Sequence, residues 1–536
     1  MSKKKTAEIT SKKQETVLNI PYNESGFEAK YSKYFWLIIP ILAILYYSYR
    51  KIAVGFYQDD EVAQYINMLN FWQDPWAILG NGPKPGYKIF MVLPALISYD
   101  AVLIFNSLIA ATTVYMTYVL IRTYKVNSAI IGALLLATQP LYVDLSFRSY
   151  SEIFTALCVV SFLILYKKEK YLFSALLLGY VYTIRQEIAL LILVFAVIFS
   201  LRKQYIYAAA LFLFPLVYNL LGFIKTGDIM FVLTEMQSVA GLNYKSQGLM
   251  HYFKVYIFIV GPVCLSLFLL GFFGFLNDTS KIKEYLKKYS EFYIIFVSIF
   301  VIQMLTMVSD GPNPGNWRYL LHISPICAFF AAVGLSNLSL KQFRSTNYII
   351  TGIFAVMVLL FLSKATDGFV LLEKAEYIKI IFVVLFFILT ISLWNESRTK
   401  FLSSLGIALV ILAAVHLYFV EPKELSPENI AVKETAEFLD TINDAQDKEK
   451  LTNHTFIMFY SNQYKQNQKL FKKLDIKNLN KAPAGSYIVW ESHYGYRPEF
   501  KNDVQLDVLR DSTKYKFIKQ LVSQDQRFGA FIFQKQ

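Results

Sequence analysis

The stretch Tyr57-Gln58-Asp59-Asp60-Glu61-Val62-Ala63-Gln64-Tyr65 sets three acids in a row within a dozen residues of the first apolar run. A carboxylate held beside a hydroxyl or amide can take its proton as that group attacks an electrophilic carbon. Crowding of like charges raises a carboxyl group's affinity for the proton, which suits such a base. One carboxylate of the three can instead hold a cation. The plain alternative is capping, with Asp59 as N-cap and Asp60 and Glu61 complementing the dipole of a first helical turn. Capping explains one or two acids better than three, and the two roles are compatible. Val62, Tyr65, Ile66, Leu69 and Trp72 follow at helical spacing, so the acids open an amphipathic helix lying on a membrane surface or against a bundle.

Other charged residues sit where charge is costly. Arg148 and Glu152, in Arg148-Ser149-Tyr150-Ser151-Glu152, and Arg185, in Arg185-Gln186-Glu187, occupy very short turns between apolar runs. Arg318 and Tyr319 open another run in Trp317-Arg318-Tyr319-Leu320. Charge at such mouths must be paired or line a wet cavity. The bland reading of each arginine is an ion pair with a neighbour such as Glu152 or Glu187, or snorkelling to headgroups. Lys84 and Lys88 lie in or just after the turn-rich Gly80-Asn81-Gly82-Pro83-Lys84-Pro85-Gly86, and Lys245 and His251 in a second large loop. Their bland readings are solvated loop charges and a structural histidine at a helix start. Gly311-Pro312-Asn313-Pro314-Gly315-Asn316-Trp317 reads as a tight connection, or as a rigid turn aiming Arg318. Glu491 and His493 end a predicted strand, where a His beside a Glu invites a catalytic reading and exposed loop residues are the plainer one. Cys158, Cys264 and Cys327 lie inside apolar runs as core residues, and no zinc spacing or disulfide framework is present.

The elements that must position these groups are membrane helices. Of 536 residues, 55% are hydrophobic and only 17% charged, too little polar surface for a soluble protein of this length. Apolar runs cover 34–49, 101–121, 127–146, 150–166, 171–184, 186–201, 204–224, 253–276, 292–309, 318–338, 346–362, 378–394 and 401–420, about thirteen candidate spans. Alternate connections carry the basic residues, among them Arg122 and Lys125, the lysines of 167–170, Arg202 and Lys203, and those of 281–288. The positive-inside rule places these and the Lys-rich 1–33 tail in the cytoplasm, and it explains the net charge of +14 better than nucleic-acid binding does. An odd number of spans then puts the C-terminus outside. The large loops 50–100 and 225–252 also fall outside, so the outer face reads as the working face. Past residue 420 the chain turns polar. Segments 454–460, 486–490 and 527–533 read as strands and 428–441 and 464–474 as helices, a small extracytoplasmic α/β domain over 421–536.

Together these features resemble the GT-C superfamily, membrane glycosyltransferases that use polyprenyl-phosphate-linked sugars. Asp60-Glu61-Val62-Ala63-Gln64 matches the Asp-Glu-x-x-Gln form found after the first helix in some mannosyltransferase branches. Arg148-Ser149-Tyr150-Ser151-Glu152 resembles the outer turn between the third and fourth helices, and Arg185-Gln186-Glu187 the Arg-containing turn between the fifth and sixth. Trp317-Arg318-Tyr319-Leu320, with Pro325 beyond it, resembles the Arg-Tyr/Phe…Pro element entering a late helix. The likeness spans 34–420 in layout and reaches the C-terminal domain only loosely.

The resemblance implies an all-α polytopic membrane protein with a small α/β domain. It implies transfer of a sugar, a hexose such as mannose, with inversion, from a polyprenyl-phosphate donor to a protein, glycan or lipid acceptor. It makes Asp59 or Asp60 the base, Asp60 being favoured because Glu61 and Gln64 then fall in register, with Asp59 or Glu61 orienting the acceptor or tuning that carboxylate. Arg148, Arg185, Arg318, Lys84 and Lys88 are the cations for the leaving phosphate. Lys245, His251, Tyr319 and Glu152 are substrate-loop candidates. Single-phosphate donors need less neutralisation than pyrophosphates, so no metal or other cofactor is expected. Short Lys-rich loops suit a bacterial plasma membrane and an undecaprenyl carrier. The rival readings are a transporter, whose charges belong nearer the bilayer midplane, a polysaccharide polymerase or ligase, and a non-enzymatic assembly protein.

Overall fold

The computed structural model describes residues 26–80, 82–240, 244–277, 279–308, 313–337, 398–418 and 422–536. The runs 346–362 and 378–394 and most of the basic tail lie outside the described residues. The chain forms two compact units, one of residues 1–45, 107–146 and 151–420, the other of 46–106, 147–150 and 421–536.

In the first unit, helices Tyr205–Thr226, Ser290–Val308 and Trp317–Asn337 are long and apolar enough to cross a bilayer, as is Tyr99–Thr123, of which residues 107–123 belong here. Ser151–Lys167 is 17 residues long, and Tyr171–Val181 and Gln186–Leu201 are shorter apolar helices. Two of the expected spans are broken. Ala129–Ala137 and Pro140–Ser146 meet at 66°, and His251–Val260 and Pro262–Phe272 at 114°. The second bend has a local cause. Gly261 adopts φ +79°, a conformation that side chains rarely take, and Pro262 supplies no N–H to continue the helix. The breaks abut, since a Cβ on Gly261 would lie 3.2 Å from Cδ of Pro140.

Helices Pro262–Phe272 and Ser324–Asn337 pack backbone to backbone. A Cβ on Gly271 would fall 1.9 Å from the Phe330 carbonyl oxygen, and one on Gly334 2.2 Å from that of Leu267. Glycines let helices approach this closely where lipid gives no hydrophobic reason to associate.

The second unit contains the acidic segment and the C-terminal domain. Helix Asp60–Asn70 buries Val62, Tyr65 and Ile66 of the expected stripe, together with Met68, while Leu69 is half-buried and Trp72 lies exposed beyond the helix end. It packs against helix Pro85–Ile97 and against Thr455–Tyr460. Tyr65, Tyr99 and Phe56 meet Phe459 edge to face, with ring centroids 5.0–5.9 Å apart.

The strands are β1 (Lys450–Thr452), β2 (Phe471–Lys472), β3 (Tyr487–Glu491), β4 (Tyr496–Arg497), β5 (Asn502–Asp503), β6 (Tyr515–Val522) and β7 (Gly529–Lys535). Five form a mixed sheet in the order β2-β1-β3-β7-β6, with β1 parallel to β2 and β3, and β7 antiparallel to β3 and β6. Leu451, Ile488 and Phe533 from the sheet pack with Leu474, Leu479, Val504 and Leu509 as its core.

Two segments of this domain differ from the sequence reading. Residues 455–460 are helical, because the His454 ring accepts the Phe456 N–H and caps the turn while Phe456 and Ile457 are buried. A short apolar run cannot by periodicity alone be told from a strand. Residues 464–474 are not one helix: Asn462–Gln466 stops at Asn467, and β2 follows.

Candidate active site

The three acids have different surroundings. Glu61 is buried, and its carboxylate is fully engaged. Oε1 accepts from Tyr99 OH at 2.5 Å, and Oε2 accepts from the Tyr57 N–H at 3.1 Å and pairs with Arg148 Nη1 at 3.2 Å. Arg148, 1% exposed, also donates to the Gly55 carbonyl at 2.7 Å and lies over the Phe147 ring. Asn106 Nδ2 fixes the Arg148 carbonyl at 2.6 Å. Both charges of this pair are satisfied within the protein. Asp59 precedes the helix without capping it through its side chain, and accepts from Tyr494 OH at 2.5 Å. Asp60 is exposed.

Lys88 lies wholly buried on helix Pro85–Ile97, and its ammonium has no hydrogen-bond partner among the described residues. Burial, helped by Lys84 one turn earlier, pushes its pKa well below the usual lysine range, against the opposing pull of Asp60. Asp60 is therefore near enough for its charge to act on Lys88. Lys84 stands just before the helix in left-handed conformation, with Pro85 in the first turn. An unpaired buried cation is expensive for a fold to keep.

The other expected cations form a network in the other unit. Arg185 Nη1 reaches Glu152 Oε1 at 2.8 Å, and its Nη2 and Nε reach Glu187 Oε1 at 2.5 and 2.7 Å. Gln303 Nε2 donates to the same Glu187 oxygen at 3.2 Å. Arg318 Nε stands 3.9 Å from Glu152 Oε1. The Tyr319 ring is shared, 4.9 Å from the Arg185 guanidinium and 5.5 Å from that of Arg318. Two cations thus meet two carboxylates and share one aromatic ring.

The turn ahead of Arg318 is fixed by hydrogen bonds. Asn313 Oδ1 accepts the Gly315 N–H at 2.8 Å, and His251 Nε2 donates to the Gly315 carbonyl at 2.8 Å. His251 thus secures a loop, and Lys245 is exposed.

No family model matches the chain, and no curated protein does. Among solved structures it is similar to ArnT from Cupriavidus metallidurans bound to undecaprenyl phosphate, with a TM-score of 0.60 at 11% identity over 94% of this chain and 98% of that one. The apo state of the same protein gives 0.58 at 10% identity, with the same coverage. The fold is of the GT-C type. A GT-C fold with these apolar helices makes the chain an integral membrane protein.

The structure brings Asp59, Asp60, Glu61, Lys84, Lys88 and Arg148 into one unit, and Glu152, Arg185, Arg318, Tyr319, His251 and Lys245 into the other. Sequence reasoning did not single out Tyr99, Tyr494 or Gln303, each of which holds one of the acids. Tyr99 lies 38 residues from Glu61 and Tyr494 lies 435 from Asp59, separations at which sequence offers no pairing signal.

Proposed function

We propose that the protein is a glycosyltransferase that moves a sugar from a polyprenyl-phosphate donor to an acceptor, with inversion, using Asp60 as general base and Lys88 as the cation for the leaving phosphate. The observation that carries this is the buried ammonium of Lys88, without a hydrogen-bond partner among the described residues and close to an exposed carboxylate. The likeness to a protein whose structure holds undecaprenyl phosphate supports the choice of lipid.

The acceptor oxygen attacks the anomeric carbon, the bond from that carbon to the phosphate oxygen breaks, and the acceptor proton passes to Asp60. The transition state has oxocarbenium character, and charge gathers on the departing phosphate. A pre-placed cation in a dry site stabilises that charge with little reorganisation. Glu61 and Arg148 satisfy each other, so their role is to hold the backbone on either side of the base. The phosphate is assigned to Lys88, and no metal is needed for that step. A hexose, with mannose the first to try, rests on the Asp-Glu-x-x-Gln resemblance alone. The working face is extracytoplasmic, in a plasma membrane.

Asp60→Asn tests the base. Mass spectrometry of membrane lipids should show a polyprenyl-phosphate sugar accumulating to the level found without the protein, while thermal stability is unchanged. Glu61→Gln should act oppositely, destabilising by about 3–5 kcal/mol because it strands a buried guanidinium. Turnover by Asp60→Asn at the wild-type rate would remove Asp60 from the mechanism.

A further inference from the structure

Three segments far apart in sequence converge in the C-terminal domain. Glu428 sits in the first turn of helix Pro427–Thr441, capped by Ser426. His454 follows β1 and is wholly buried beside the rings of Phe456, Tyr494 and Phe528. His493 lies in the turn after β3. The buried Glu491 carboxylate holds that turn by accepting the N–H groups of His493 at 2.7 Å and Tyr494 at 2.8 Å. Gly495 completes it, where a Cβ would meet the Glu491 carbonyl oxygen at 2.3 Å. Glu428 Oε1 thereby comes 3.2 Å from His454 Nε2 and 2.6 Å from His493 Nδ1.

We propose that Glu428, His454 and His493 form a site for a divalent transition metal, zinc being the ion that suits this donor set. Two imidazole nitrogens and one carboxylate oxygen, all within 4.8 Å of one another, are borderline ligands of the kind zinc takes. Tetrahedral zinc sets its ligands about 3.3–3.5 Å apart, so Glu428 and His493 need to separate by less than an ångström. It is the one such group of three or more among the described residues. His454 forms a buried floor, while Glu428 and His493 are 30% and 31% exposed, which leaves an entry path and room for a water ligand.

Without an ion, the Glu428 oxygen accepts both ring protons. Burial alone would raise its pKa, but these hydrogen bonds outweigh burial and bring it down to about 2. Metal replaces the two shared protons, which move to Nδ1 of His454 and Nε2 of His493. His454 then gives up the Phe456 N–H it accepts at 3.3 Å, a long bond and a modest opposing cost.

The site bears on the acidic segment. The His493 ring stacks on Tyr494 at 4.0 Å, and Tyr494 OH holds Asp59, next to Asp60. A metal fixing His493 braces that tyrosine and, through it, the start of helix Asp60–Asn70. This consequence rests on the reading of Asp60 as base, whereas the metal site does not.

The test uses the full chain in lipid nanodiscs, stripped with chelator, titrated with zinc chloride and competed against a zinc-binding dye, with elemental analysis after desalting. One zinc per chain is expected. His493→Ala and Glu428→Gln should each weaken binding roughly tenfold or more. His454→Asn should also lose zinc while its side-chain oxygen keeps the cap for Phe456. No zinc above background, or equal affinity in wild type and all three variants, would mean a hydrogen-bonded triad only and overturn the proposal. Zinc binding that persists alongside a fully active Asp60→Asn chain would sink the assignment of Asp60 and leave the metal site standing.

Discussion

At the scale of residues, the charged groups differ in what surrounds them. Glu61 with Arg148 and Arg185 with Glu152 and Glu187 are paired at hydrogen-bonding distance. Asp60 is exposed, and the buried Lys88 ammonium has no hydrogen-bond partner among the described residues; on the proposed function these two meet the substrate. Their pairing predicts a pH profile. Lys88 must be protonated to neutralise phosphate, and burial lowers its pKa. Activity is therefore present at lower pH and lost as pH rises through that depressed value, well before the about 10.4 of a free lysine. The profile of kcat/KM reports the free enzyme, where no phosphate yet raises the value. Lys88→Arg should move the alkaline limb upward, since guanidinium keeps its proton. A limb that stays in place in Lys88→Arg would take Lys88 out of phosphate binding.

At the scale of elements, what could be read in the sequence depended on how local its cause was. Helix Asp60–Asn70 was legible because its acids, its apolar stripe and its start lie within a dozen residues. The bend at Gly261-Pro262 was written in two adjacent residues, yet a hydropathy window averages over them and returns one span for 253–276. The helix at 455–460 depends on a ring of His454 reaching back to Phe456, which composition does not display. The crossing of Pro262–Phe272 with Ser324–Asn337 depends on Gly271 and Gly334, 63 positions apart, and neither announces its partner. That crossing is testable. Gly334→Leu drives a side chain into the Leu267 carbonyl and should lower thermal stability by about 1–3 kcal/mol, or more if the helices cannot separate. Gly82→Ala meets nothing within 4 Å and should leave the melting temperature unchanged. Equal melting of Gly334→Leu and wild type would show that this backbone contact is dispensable.

At the scale of the whole molecule, the membrane architecture was legible because apolar length and loop charge are summed properties, robust to errors in any single element. The candidate site was legible as a set of charged residues, while their surroundings were not, since those depend on Tyr99 and Tyr494 and on the burial of Lys88. Topology is the property on which the proposed chemistry depends, because a polyprenyl-linked sugar and its acceptor must meet on one side of the membrane. Basic residues crowd the connections at 122–125, 167–170, 202–203 and 281–288, and the cost of moving lysine and arginine across a bilayer is the ground for proposing that those loops are cytoplasmic. On that proposal the acidic segment faces out. A cysteine replacing Gln58, half-buried beside the acids, should react in intact cells with a thiol reagent that cannot cross the membrane. A cysteine replacing the exposed Lys168 should react only after permeabilisation. The native cysteines do not interfere, since Cys158, Cys264 and Cys327 are all buried. The reverse pattern, with position 168 labelled from outside and position 58 protected, would put Asp60 in the cytosol and move the whole reaction to the other leaflet.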